Sequence, residues 1–140
     1  MATRGPMLEQ SKRFAVQIVR LSQFLIGEKK EFVLSRQILR SGTSIGANLN
    51  EARGAQSHAD FLAKQTVALK EAYETEYWIE LLTETGYLQA SASQKLLKDL
   101  SEILSMLTQS IKTIRQKLYG DASILREDTM PYDLDFIDLD

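Results

Sequence analysis

Apolar residues recur at steps of three and four positions along most of the chain, which is the spacing of one face of an α-helix. The pattern is clearest between residues 91 and 119, where the repeating positions are Leu97, Leu100, Leu104, Leu107, Ile111, Ile114 and Leu118. Alternating steps of three and four make a seven-residue repeat, as in the packed face of a bundle helix. Ser91 and Gln94 form a capping-box pair at the predicted start, and Gly120 predicts the end.

Three further segments, at about 6–26, 33–52 and 57–85, also show helical spacing. Pro6 suits the first position of the first helix, and Gly27 suits its end. Ser57 with Asp60 makes a second capping pair, and Gly86 predicts the end of the third helix. Four helices in 140 residues predict one all-α domain, a four-helix bundle.

The second segment contains Gly42 and Gly46 among small polar residues. A glycine inside a helix costs about 1 kcal/mol relative to alanine, so a compensating contact is needed. We expect another helix backbone to approach this segment closely.

The third segment is apolar over a wide arc rather than along one narrow stripe. Its apolar positions form two adjacent rows, one of Phe61, Ala68, Ala72, Ile79 and Leu82, the other of Leu62, Leu69, Tyr73 and Tyr77. A helix of this kind is usually covered on two sides. We expect its own bundle to cover one side and a neighbouring subunit to cover the other.

The composition argues against most catalytic and metal sites. The chain has no cysteine, which rules out disulfides, thiolate nucleophiles and cysteine-ligated metals. Its one histidine, His58, cannot build a histidine-centred site by itself, and we predict a solvated position for it. The five glutamates between 71 and 84 lack the Glu-x-x-His repeats of di-metal bundles. We therefore expect no enzyme activity, no metal and no cofactor.

No apolar stretch approaches the roughly 20 residues that span a bilayer. The start, MATRGPMLEQSKR, lacks the apolar block of a secretory signal. We expect a cytoplasmic protein that does not enter a membrane.

Charge is divided along the chain at Gly120. Residues 1–120 contain 16 basic and 12 acidic residues, a net of +4, whereas residues 121–140 contain one basic and seven acidic residues, a net of −6. A mildly basic body permits a nucleic-acid partner, and an acidic tail either competes for the same surface or keeps the protein in solution. We therefore divide the chain into a four-helix bundle, 1–120, and an acidic C-terminal tail, 121–140.

The tail ends in YDLDFIDLD, in which Tyr132, Leu134 and Phe136 alternate with Asp133 and Asp135. One interpretation is a mobile acidic end. The other is a short extended motif whose aromatic face docks on the protein's own oligomer or on a partner. The alternation by itself does not distinguish them.

A motif in the second helix, SGTSIGANLNEA at residues 41–52, resembles a known family. The family pattern Ser-Ile-(Pro or Gly)-x-Asn-(Ile or Leu)-x-Glu-(Gly or Ala) is matched by Ser44, Ile45, Gly46, Asn48, Leu49, Glu51 and Ala52. Further matches are Asp60 with Phe61, and Lys70, Glu71, Ala72, Glu74, Thr75, Tyr77 and Trp78. Over about residues 8–118, the chain resembles the bacterial proteins typified by the intervening-sequence protein of 23S ribosomal RNA genes.

The resemblance implies an up-and-down antiparallel four-helix bundle that is one subunit of a ring-shaped homo-oligomer, a homopentamer. The accessory variability protein of diversity-generating retroelements is similar in fold. That similarity implies RNA, DNA or a reverse transcriptase as partners. The present chain departs from this relative in its acidic tail and its pI of about 5.5.

Within the motif, Ser44 lies one turn before Asn48, and Asn48 lies three residues before Glu51, so the three form a short polar ladder. Such a ladder either fixes the register of a helix contact through hydrogen bonds or contacts a ligand or RNA.

Arg36, Arg40 and Arg53 flank the motif and are candidate nucleic-acid-binding residues. A ring would repeat them once per subunit, as a belt that phosphates recognise. The core-like spacing of Tyr73, Tyr77 and Trp78 predicts packing rather than base stacking. The cations near the end of the fourth helix, Lys112, Arg115 and Lys117, complement the helix dipole.

Two functions follow as hypotheses. The first is a non-enzymatic homo-oligomer, an adaptor or assembly protein that binds nucleic acid or a nucleic-acid enzyme. The second is a protein-binding module that uses Tyr132, Leu134 and Phe136 of the tail without nucleic-acid contact.

Overall fold

Four helices account for most of residues 5–120, the part of the chain that the computed structural model describes. They are α1 Pro6–Gly27, α2 Leu34–Ala52, α3 His58–Glu84 and α4 Ala90–Tyr119. No strand occurs within residues 5–120. The predicted all-α class is confirmed, and each predicted helix agrees with the observed one to within one residue at each end.

The four helices run alternately up and down, and each packs against two neighbours in the same bundle. α2 packs against α1 and α3, α3 packs against α4, and α4 contacts α1. Between α2 and α3, Thr75 bonds to Ser41 and Lys64 bonds to Glu51, so residue numbers rise along one helix as they fall along the other. This is the antiparallel order that the family resemblance implied.

The core is one apolar column to which every helix contributes. Its largest fully buried side chains are Phe14, Ile18, Leu25, Ile38, Ile45, Leu69, Ile79, Leu82, Leu100, Ile103, Leu107 and Ile111. Of the predicted row on α4, Leu100, Leu107, Ile111 and Ile114 are buried, whereas Leu97, Leu104 and Leu118 are only partly buried. Leu96 and Ile103 are also buried, although the predicted row did not include them.

The wide apolar arc of α3 is covered largely within one subunit, because α2 and α4 flank this helix. The buried residues of α3 are Leu62, Gln65, Ala68, Leu69, Ala72, Thr75, Ile79 and Leu82. Val67 and Tyr77 stay exposed, at 41% and 57%. The arc is therefore a weaker reason for self-assembly than the sequence suggested.

Polar side chains connect each pair of neighbouring helices. The bonds run from Ser22 Oγ to the Ser35 carbonyl at 3.4 Å, from Thr75 Oγ1 to Ser41 Oγ at 2.9 Å, from Thr83 Oγ1 to Ser93 Oγ at 2.9 Å, and from Gln17 Nε2 to Asp99 Oδ2 at 3.0 Å. A buried hydroxyl that finds such a partner avoids the cost of desolvation, so these bonds also favour one helix register.

α2 approaches α1 at its two glycines. A Cβ added at Gly42 would lie 2.8 Å from Cγ1 and Cγ2 of Ile18, which is fully buried. A Cβ at Gly46 would lie 3.6 Å from the backbone of Ser11, an ordinary van der Waals distance. The predicted close approach is confirmed, and it is tightest at Gly42.

The helix ends confirm one predicted capping box and contradict the other. Ser57 Oγ accepts a hydrogen bond from the Asp60 amide at 3.0 Å, and Asp60 Oδ2 accepts one from the Gln56 amide at 3.1 Å. The Ser91–Gln94 box is wrong, because α4 already begins at Ala90 after Gln89, whose side chain makes no cap bond. Ser91 therefore lies inside the first turn of the helix.

The start of α2 is capped by Glu31, which the sequence analysis did not single out. Its carboxylate accepts hydrogen bonds from the backbone amides of Val33, Leu34 and Ser35, at 3.2, 3.0 and 2.7 Å. Burial would raise the pKa of Glu31, but these backbone donors outweigh that effect and lower the pKa below its ordinary value. An anion at a helix start is also favoured by the helix dipole.

We predict opposite effects for alanine at the two glycines of α2. Gly42→Ala should lower the free energy of unfolding by about 1–3 kcal/mol, because the β-branched Ile18 cannot move away from the new methyl group. Gly46→Ala is the matched control and should be neutral or stabilising by up to about 1 kcal/mol, since alanine favours the helix. Urea unfolding measures both, and equal effects would contradict the close contact at Gly42.

We predict that Glu31→Gln lowers stability by about 1 kcal/mol near pH 7, because the charged cap of α2 is lost. The folded pKa of Glu31 lies below its ordinary value of 4.5, so the stabilisation is complete above that value and disappears as the pH falls through the folded pKa. The difference between wild type and variant should therefore shrink on acidification. Thermal unfolding over a pH series measures it, and a constant difference would contradict the assignment.

Candidate nucleic-acid interface

The three residues of the polar ladder point to different partners. Ser44 Oγ donates to the Arg40 carbonyl at 2.7 Å, and Asn48 Nδ2 donates to the Ser44 carbonyl at 2.8 Å, both within α2. Glu51 instead reaches α3, where it accepts from Lys64 Nζ at 2.8 Å. The hydrogen bond to Glu51 raises the pKa of Lys64 and so keeps this ammonium charged. Of the three residues, Glu51 is the one whose side chain bonds to another helix.

The three candidate arginines do not form one cluster. Arg36 Nε donates to the Phe32 carbonyl at 3.1 Å, near the start of α2. Arg53 follows the last residue of α2, where Nη1 donates to Asn50 Oδ1 at 3.1 Å. The 17 positions between Arg36 and Arg53 correspond to about 25 Å of helix, at 1.5 Å per residue. A single phosphate group therefore cannot contact both.

Arg40 is engaged by two carboxylates of α3. Its guanidinium bonds to Glu71 Oε1 at 3.1 Å and also to Glu74 Oε2. Glu74 accepts a further bond from Trp78 Nε1 at 2.9 Å. This network compensates the charge of Arg40 and joins α2 to α3, so Arg40 is a less available phosphate ligand than Arg36 or Arg53. This pairing was not predicted from the sequence, although Glu71, Glu74 and Trp78 belong to the family motif in α3.

The aromatic residues of α3 differ in burial. Tyr73 and Trp78 are partly buried against the core, as their spacing predicted, whereas Tyr77 is 57% exposed. The rings of Tyr77 and Trp78 meet edge to face, with centroids 5.2 Å apart and an interplanar angle of 66°. Tyr77 is thus the aromatic residue of this group with a largely open face.

The C-terminal end of α4 carries basic residues without acidic ones. From residue 103 to residue 120 there are three basic residues, Lys112, Arg115 and Lys117, and no acidic residue. Lys112 and Lys117 are exposed and Arg115 is partly buried. By contrast, residues 71–84 of α3 contain five glutamates and no basic residue. Because α3 and α4 are antiparallel, the basic end of α4 lies beside the first half of α3, and Lys112 also lines a groove together with Glu76.

An open pocket of about 600 Å³ lies at the same end of the bundle. Its apolar lining includes Ala52, Phe61 and Ile114, and its polar lining includes Arg53 and His58. His58 is exposed, as predicted. The sequence analysis did not identify this pocket, because it forms where the α2–α3 turn meets α4.

Within residues 5–120, no group of three or more histidine, aspartate or glutamate side chains is placed so that it could hold a metal ion. None of α1 to α4 combines the length and the apolar character needed to cross a bilayer. The candidate tail residues Tyr132, Leu134 and Phe136 lie outside the described part of the chain.

The fold and its contacts define the class of protein, a four-helix bundle whose antiparallel helices are linked by polar bonds. Residues 6–109 match the family described as 23S rRNA-intervening sequence protein, and the chain belongs to this family. The match ends before Lys112, so the basic end of α4 and the acidic tail both lie beyond it.

A solved structure is also similar to the chain. It is the crystal structure of a protein with unknown function from the S23 ribosomal protein family of Bacteroides thetaiotaomicron. Sequence identity is 54%, the similarity covers 76% of this chain and 98% of that one, and the TM-score is 0.75. No curated protein matches the chain.

Proposed function

We propose that this protein is a non-enzymatic adaptor that assembles into a homo-oligomer, a pentamer by the family resemblance, and binds RNA through the basic end of α4. One observation carries the assembly. Six of the eight exposed large apolar side chains of residues 5–120 fall within residues 16–33, namely Val16, Val19, Phe24, Ile26, Phe32 and Val33. Apolar surface concentrated in this way is typical of a protein–protein contact.

The distribution of these side chains favours α1 and the turn after it as the subunit contact. Val16, Val19 and Ile26 are three and seven residues apart, a spacing that places them on one face of α1. Phe32 and Val33, at 52% and 63% exposed, extend the apolar surface into the turn. α3 has less exposed apolar surface, because only Val67 and Tyr77 of the eight exposed side chains belong to it.

The basic end of α4 supports the second part of the proposal. Lys112 and Lys117 are exposed, and Arg53 lies across the pocket from the same stretch of α4. Assembly would repeat this group once per subunit and multiply weak phosphate contacts. The family name, 23S rRNA-intervening sequence protein, makes RNA the first nucleic acid to test.

We predict that Ile26→Asp dissociates the oligomer, because a carboxylate in a desolvated apolar contact is costly. Val67→Asp is the matched control, since Val67 is exposed to the same extent, 41%, but lies on α3. Light scattering after size-exclusion chromatography measures the mass. A monomeric wild type at micromolar concentration, or equal effects of the two variants, would refute the proposed contact.

We predict that Lys112→Glu combined with Lys117→Glu weakens binding of a labelled RNA hairpin by more than about tenfold at low salt. The slope of log affinity against log salt should fall by about 2, because each of the two lysines no longer neutralises a phosphate. The control is Lys95→Glu with Lys98→Glu, which makes the same charge change at the other end of α4.

Deletion of residues 121–140 should strengthen the same binding, because it removes a net charge of −6. Fluorescence anisotropy measures all of these variants. RNA binding that is absent, or insensitive to salt, would remove the RNA part of the proposal without affecting the assembly part.

A further inference from the structure

The pocket between the α2–α3 turn and α4 is lined by both apolar and basic side chains. Ala52 and Ile114 are buried and Phe61 is partly buried, so its inner wall is apolar. Arg53 and His58 lie among its polar lining, and no carboxylate of residues 5–120 does. Two other grooves have both acidic and basic lining residues, Glu76 with Lys112 between α3 and α4, and Asp99 and Glu102 with Arg13 and Lys95 between α1 and α4. A groove between α1 and α2, lined by Leu8, Ala15 and Lys12 among others, also lacks a carboxylate but is smaller, at about 250 Å³. The pocket therefore suits a ligand that is both apolar and anionic.

The chain itself contains a segment of that chemistry. In YDLDFIDLD, the apolar residues Tyr132, Leu134 and Phe136 alternate with aspartates. An extended segment presents alternate residues on opposite sides, so one side of this motif is apolar and the other is anionic. Its charge complements Arg53 and the purely basic end of α4.

The end of α4 lies close to this pocket, so a segment that follows α4 along the chain is long enough to reach it. The tail follows Gly120, which is only six residues after Ile114, or about 9 Å along the helix axis. Eleven residues lie between Gly120 and Tyr132, and the twelve residue steps can span up to about 40 Å. Gly120 has φ 53°, a left-handed conformation at which α4 ends and the chain leaves the helix direction.

We infer that residues 132–136 dock in this pocket of their own chain, with Leu134 and Phe136 against Phe61 and Ile114 and the aspartates beside Arg53. Tethering raises the local concentration of the segment, so docking within one chain has an advantage over docking between chains. The inference does not depend on RNA binding.

The test is hydrogen exchange of residues 52–61 in the full-length protein, followed by mass spectrometry. Leu134→Ser with Phe136→Ser should raise the exchange rate of this segment by on the order of tenfold and leave residues 27–33 unchanged. Ile124→Ser with Leu125→Ser is the matched control, because it removes two apolar residues of the same tail outside the motif. Equal exchange in all three proteins would overturn the inference.

Arg53→Glu tests the pocket side of the contact, and Arg36→Glu, the same change at the other end of α2, is its control. Arg53→Glu should raise the exchange of residues 52–61 in the wild-type chain but add nothing when Leu134 and Phe136 are already replaced. An equal increase in both backgrounds would mean that the change only frays the end of α2. That result would overturn the docking.

A mixing experiment assigns the tail to its own chain. Isotopically labelled wild-type protein is mixed and equilibrated with an excess of the Leu134→Ser, Phe136→Ser variant. Exchange in the labelled chains should stay at the wild-type rate, since each keeps its own tail. A rise toward the variant rate would show that a neighbouring copy supplies the segment, and would overturn docking within the chain.

Discussion

The close contact between α1 and α2 is the constraint on which the rest of the bundle depends. Ile18 packs against Gly42 at a distance that leaves no room for a methyl group. Two helices that approach so closely must cross at a fixed position, because either would clash if it slid along the other. This contact therefore fixes the register of α2, which in turn positions α3 through Ser41 and Arg40.

The second-helix motif and the third-helix motif that suggested the family are physically coupled. Glu71 and Glu74 bind Arg40, and Thr75 donates to Ser41. Arg40, a candidate phosphate ligand, and Glu51, a member of the polar ladder, thus help to hold α2 against α3. Buried and partly buried polar bonds of this kind add specificity to a core whose apolar contacts alone are non-directional.

The part of the chain that matches the family differs in charge from the part that follows it. The family match covers residues 6–109, whereas Lys112, Arg115, Lys117 and the acidic tail all follow it. Residues 110–140 contain four basic and seven acidic residues, so the acidic segment more than offsets the basic end of α4. In our proposals the common bundle provides the assembly, and the C-terminal region provides RNA binding and its control.

The sequence by itself determined the number, bounds and class of the helices. The helical spacing of apolar residues, the glycines that end helices and the Ser57–Asp60 capping box are all local signals. They depend on residues close together in the sequence, so the sequence alone reveals them. It also predicted a close helix approach at Gly42 and Gly46, because glycine in a helix needs a compensating contact. It could not identify Ile18 as the contact, nor Glu31 as the cap of α2.

Only the tertiary structure decided how the candidate residues are used. It paired Arg40 with two glutamates, separated Arg36 from Arg53, and formed a pocket from the α2–α3 turn and α4. It also showed that α2 and α4 cover most of the apolar arc of α3, while exposed apolar residues gather on α1 and the turn after it. The physical reason is that periodicity reveals which face of a helix is apolar, but the contacts between distant residues depend on how the helices are arranged in space.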